Sequence, residues 1–108
     1  MEKYIIIRTQ FEALHKWEDC PYEDVSFLRE LHRHIFHVEV KAEVTSLNRE
    51  IEFIRFKRKI EDFLQHCYKK DIGNLSCEML CEIILNEFPC LCQASVFEDN
   101  ENGAMIKR

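Results

Sequence analysis

His32-Arg33-His34 sets two imidazoles two residues apart, and on a β-strand such positions project from the same face. Side chains so placed can grip one cation. Two ligands seldom make a tight site, so a third is needed. His15 ends the regular alternation of an earlier β-rich stretch, and pairing of the two stretches would bring it alongside. Three histidines leave a fourth position for water or substrate, the arrangement of a catalytic rather than a structural zinc. Taken alone, His-x-His is common, and a solvated or hydrogen-bonded pair is the plainer reading. The cysteines offer a second candidate, because Cys77 and Cys81 lie one helical turn apart and Cys90-x-Cys92 has strand spacing. Neither pair has the two-residue gap of a zinc knuckle, and small buried hydrophobes are the simpler account of these thiols.

The elements that must position these residues are read from periodicity, since only two Gly and two Pro punctuate the chain. Lys3 to Leu14 is β-rich, with Ile5, Ile7, Thr9, Phe11, Ala13 and His15 on one face. Lys16 to Glu30 is polar and reads as a loop. Leu31 to Leu47 reads as a second long strand, with Val38, Val40, Ala42 and Val44 on its apolar face. From Glu50 to Lys69 the period changes: Phe53, Phe56, Ile60, Phe63, Leu64 and Cys67 recur at helical steps. Gly73 permits a tight turn, and Asn74 or Ser76 can cap a second helix from about Ser76 to Phe88. Its expected buried side carries Met79, Leu80, Ile83, Ile84 and Phe88. Leu91 to Phe97 is a short strand, Asp99-Asn100-Glu101-Asn102-Gly103 is a turn, since Asn-Gly is a strong hairpin signal, and Ala104 to Lys107 returns as a last strand. The order predicts an α+β fold, ββααββ.

A chain of 108 residues supports one domain, 1–108, and no second core. Its 46% hydrophobic and 11% aromatic content is that of a folded chain. A net charge of −5 argues against general binding to nucleic acid or an anionic membrane. No apolar run approaches the roughly 18–20 residues of a membrane span. The segment Met1–Arg8 is too soon interrupted by charge for a signal peptide. A cytoplasmic protein with reduced thiols is therefore expected.

The sequence resembles the 6-pyruvoyl-tetrahydropterin synthase and 6-carboxytetrahydropterin synthase family over about Tyr4 to Ile106. Phe11-Glu12-Ala13-Leu14-His15 is similar to the family's Phe-x-Ala-x-His, whose His is a zinc ligand. His32-Arg33-His34-Ile35-Phe36 resembles the His-Gly-His-aromatic segment that supplies the other two ligands. Glu52-Phe53 with Lys57 resembles the opening of the family's first helix, and Leu75-Ser76-Cys77-Glu78-Met79-Leu80 that of its second. Val96-Phe97-Glu98 looks like the closing strand, whose Glu recognises the pterin. The resemblance implies the tunnelling fold, a four-stranded antiparallel sheet with two helices on one face. It also implies Zn2+ on His15, His32 and His34, pterin contacts from Glu98, Ser76 and Cys77, and a homo-oligomer, trimer or hexamer, with sites between subunits. An ionised Glu98 suits the task, since a carboxylate can accept a ring N–H and its exocyclic amine together.

In the family, zinc polarises the side chain of 7,8-dihydroneopterin triphosphate while a cysteine and an Asp-His couple move protons. The family cysteine lies a few residues before His-x-His, where this chain has Ser26 to Glu30 and no thiol. Cys20 lies twelve residues before His32 and is the remaining candidate. Asp71 matches the couple's Asp, but Ile72 follows where His belongs. His37 has the wrong strand parity to join His32 and His34. Two functions follow. One is a zinc-dependent lyase of the 6-carboxytetrahydropterin branch, feeding 7-deazaguanine (queuosine-precursor) synthesis, with Cys20 and Asp71 as catalytic residues. The other is an inactive member that binds a pterin-like or purine-like ligand or a protein partner.

Overall fold

Strict alternation carries the first strand, β1 (Lys3–His15), with Ile7, Phe11, Ala13 and His15 buried on one face and Tyr4, Ile6, Arg8 and Gln10 exposed on the other. The computed structural model describes residues 1–108. Strand β2 (His32–Val44) buries Phe36, Val38, Val40, Ala42 and Val44 in the same way. It lies antiparallel to β1 in a register that sets Phe11 opposite Phe36, Ala13 opposite His34 and His15 opposite His32. Strands β3 (Leu91–Glu98) and β4 (Gly103–Lys107) complete a four-stranded antiparallel sheet in the order β1-β2-β3-β4. The expected sheet is the observed one.

Helix α1 (Phe53–Leu64) packs on β1, and helix α2 (Cys77–Glu87) packs on β3 and β4. Ile60 and Leu64 of α1 and Leu80, Cys81 and Ile84 of α2 join the strand residues in one apolar core. The helix expected from Glu50 to Lys69 is shorter. Glu52 caps its start, its carboxylate accepting from the amides of Ile54 and Arg55. After Gln65 the ladder gives way to three-residue bonds, Cys67 N–H to the Leu64 carbonyl and Lys70 N–H to that of Cys67.

Ser76 caps α2 as expected, its hydroxyl accepting from the Met79 amide at 3.1 Å. The buried side is rotated from the expected one, leaving Met79 and Ile83 exposed. Leu80 and Ile84 face inward as expected, joined by Cys77, Cys81 and Leu85. The small thiols let the helix axis approach the sheet, and Cys81 reaches the Ala104 carbonyl. The Lys16–Glu30 loop holds a 3₁₀ helix at Glu23–Arg29.

Two segments lock the end of the sheet that carries the histidines. A strap from Lys69 to Gly73 runs along β1, with Lys69 N–H on the Glu12 carbonyl, Leu14 N–H on Lys70 and Lys16 N–H on Gly73. Gly73 has φ +66°, and Asp71 accepts its amide at 2.8 Å. The β3–β4 hairpin turns within the expected Asp99–Gly103 segment, with its left-handed residues at Asp99 (φ +52°) and Asn100 (φ +58°) rather than at the Asn-Gly pair. Gly103 serves packing, because a Cβ there would run into the Val96 carbonyl oxygen.

Candidate metal centre

The β1–β2 register brings His15, His32 and His34 to one end of the sheet's buried face, and one ligand nitrogen from each lies within 4.8 Å of the other two. Their ring centroids are 4.5 to 5.1 Å apart, and Phe36 backs both His15 and His34 edge-on. His15 is buried, whereas His32 and His34 are half-buried.

Each imidazole has one nitrogen already engaged. Nδ1 of His15 lies 2.9 Å from the Leu75 carbonyl, Nδ1 of His32 lies 2.8 Å from the Glu30 carbonyl, and Nδ1 of His34 lies 2.6 Å from an Asp99 carboxylate oxygen. Every one of these partners is an acceptor, so each Nδ1 carries the hydrogen. In a neutral ring the lone pair then rests on Nε2. The Nε2 atoms of His15 and His34 are buried without a hydrogen-bond partner. Orphaned buried acceptors are costly in an ordinary core and are what a bound cation satisfies. Burial lowers the His15 pKa, against the raising effects of the Leu75 carbonyl and Glu98, and so favours the neutral, ligating ring. Nitrogen donors with their second nitrogens fixed suit Zn2+.

Glu98 stands against this cluster. Its Oε1 is 3.4 Å from His15 Nε2 and its Oε2 is 3.3 Å from His34 Nε2, without hydrogen-bond alignment to either. Its charge lies where it balances a cation. The Cys77 thiol donates to Oε1 over 3.9 Å, and burial first, then Glu98, pushes that thiol's pKa up to about 12. It is a neutral donor at physiological pH. Asp99 Oδ1 also accepts the Ile35 amide, and its carboxyl is held below the usual range by His34 and then by Ile35.

A cavity of about 610 Å³ opens beside the cluster, lined among others by His15, His32, Glu98, Ser76 and Cys77, with Lys16 and Trp17 at its side. The expected pterin contacts thus share one space with two of the three imidazoles. Cys20 is elsewhere: it is buried, with its thiol directed to the Tyr22 and Val25 carbonyls, and it does not line the cavity. Asp71 holds the Gly73 turn and does not line it either. Arg33 points away from the imidazoles, as strand parity requires, and binds Glu12 at 2.7 Å. His37 also faces away.

The sequence reading missed Asp99 as the partner of His34, and it missed Trp17 and Lys16 on the cavity wall. Asp99 reads as a turn residue. Only the β2–β3 register, which pairs Phe36 with Glu98, could have set it beside His34.

By sequence, the chain matches no protein-family model and no curated protein. By structure, it is similar to Caenorhabditis elegans 6-pyruvoyl tetrahydropterin synthase, with a TM-score of 0.79 at 11% identity over 100% of this chain and 96% of that one. It is also similar to an uncharacterized protein from Wolinella succinogenes, with a TM-score of 0.65 at 14% identity over 99% and 98% of the two chains. The α+β architecture expected from the sequence is therefore the fold of 6-pyruvoyl tetrahydropterin synthase.

Proposed function

We propose that this chain, as one pterin-synthase-like domain, binds Zn2+ through His15, His32 and His34 and takes a pterin-class ligand in the adjoining cavity. The observation that carries the reading is the convergence of three imidazoles whose Nδ1 atoms are all engaged, leaving two buried Nε2 atoms without partners. Bound there, zinc would supply Lewis-acid polarisation of an oxygen on the ligand's side chain. Glu98 would accept a ring N–H and its neighbouring amine, Ser76 and Cys77 would flank the ring, and Lys16 would pair with an anionic tail such as a triphosphate. In the active form of this reading, the substrate is 7,8-dihydroneopterin triphosphate and the route is that of 6-carboxytetrahydropterin and the queuosine precursors. The setting is cytoplasmic, and the protein is a homo-oligomer.

A second reading, ligand binding without turnover, is favoured by one specific observation. Cys20 is turned into the backbone of its own loop, and Asp71 is engaged in the Gly73 turn, so neither lies where it can move a proton on a ligand in the cavity.

Elemental analysis of the wild type beside a His32→Ala, His34→Ala variant tests the metal site. About one zinc per chain in the wild type and none in the variant is expected; equal content in both would refute the assignment. Incubating the zinc-loaded protein with 7,8-dihydroneopterin triphosphate, followed by mass analysis, separates the two readings. New product supports the lyase. Unchanged substrate that binds to the wild type and fails to bind to Glu98→Gln supports the binding protein.

A further inference from the structure

Asp99 is held at three points beside His34. Its backbone N–H donates to the Ile35 carbonyl at 2.8 Å, its Oδ1 accepts the Ile35 amide at 3.0 Å, and its Oδ2 meets His34 Nδ1 at 2.6 Å. The left-handed backbone at Asp99, a conformation Asp tolerates, starts the turn that directs the carboxylate back across β2. His15 and His32 are fixed by carbonyls that the main chain supplies whatever the side chains are. His34 alone depends on a side chain for its orientation.

We propose that Asp99 is a positioning residue that sets the tautomer of His34, fixing the proton on Nδ1 and leaving Nε2 free to bind the metal. The inference rests on the His15–His32–His34 metal reading and adds to it the residue that decides whether the third nitrogen can ligate. A carboxylate accepts only, so it admits one tautomer. An amide at the same place reverses the logic. In Asp99→Asn the oxygen stays on the Ile35 amide, because swapping the ends would set two donors face to face. The NH2 group then points at His34 Nδ1 and draws its lone pair, moving the ring proton to Nε2, where it blocks metal binding.

The test compares D99N and D99A with the wild type in two measurements. Nitrogen-15 NMR of the metal-free proteins near pH 8 reads which nitrogen of His34 is protonated. Nδ1 is expected in the wild type and Nε2 in D99N. Titration with Zn2+, and the visible spectrum of the Co2+ forms, reads the site. D99N is expected to lose roughly 10–100-fold in Zn2+ affinity, the range typical for loss of such an outer partner. It should lose more than D99A, which keeps neither bond but leaves the ring free to choose its tautomer. A merely structural role gives the opposite order, because D99N preserves the bond to Ile35 and D99A removes it. D99A weaker than D99N, or D99N with wild-type affinity, overturns the proposal. So does a wild-type His34 protonated on Nε2. A wild type that takes up no zinc while D99N still moves the proton upholds the tautomer assignment and sinks the metal reading instead.

Discussion

At the scale of single residues, the site is a set of rings held from behind. Phe36, fully buried, stacks on Phe11 with centroids 5.2 Å apart and presents its edge to His15 and His34. Truncation there removes a core side chain and the wall against which two imidazoles are set. Phe36→Ala is expected to cost about 3–5 kcal/mol in chemical denaturation, with a matching fall in zinc content. The thiols separate by burial. Cys90 is exposed, whereas Cys20 and Cys81 are buried and desolvation raises the Cys81 pKa. Alkylation at pH 8, followed by mass spectrometry, should label Cys90 in the native protein and leave Cys20 and Cys81 unmodified until denaturant is added. Prompt labelling of Cys20 would show that its loop opens and would restore it as a candidate base.

At the scale of elements, short devices decide where each strand and helix begins, and several can be tested one at a time. Ser76→Ala removes the cap of α2 and is expected to cost about 1 kcal/mol, read by thermal or urea denaturation. Gly103→Ala drives a methyl group into the Val96 carbonyl and should unpair β4 from β3, seen as lost amide protection over Gly103–Lys107. Glu50 closes the β2–α1 connection, accepting from the amides of Thr45 and Ser46 and from the Thr45 hydroxyl. These bonds lower its pKa, so the stabilisation is present above the unfolded carboxyl's value and is lost as pH falls through the lower folded value. Protection of the Thr45 and Ser46 amides should fall in that acid range in the wild type and be absent at any pH in Glu50→Ala. The Ser76 cap was legible because Ser before an apolar run is a local signal. The Glu52 cap and the rotated face of α2 were not, since both follow from where the chain must meet the sheet.

At the scale of the whole molecule, the sheet has helices on one face only. The other face exposes Tyr4, Ile6 and Met105, and the outer edges of β1 over Lys3–Gln10 and of β4 have no backbone partner. An open edge beside exposed apolar side chains favours pairing with further copies. Light scattering is expected to give a multiple of the 13.1 kDa chain mass, and Ile6→Lys to lower it. A monomer at micromolar concentration would remove the assembly from the proposed function. Alternation and period alone determined the four strands, the two helices and the shared face of His32 and His34, because these depend on residues close in sequence. The tertiary structure decided the rest. Strand register brought His15 to the pair, the Lys69–Gly73 strap led into the Leu75 carbonyl behind it, and the β3–β4 turn put Asp99 on His34. It also turned Cys20 away from the cavity. Contacts between residues tens of positions apart are fixed by packing and register, and no local pattern of residue types encodes them.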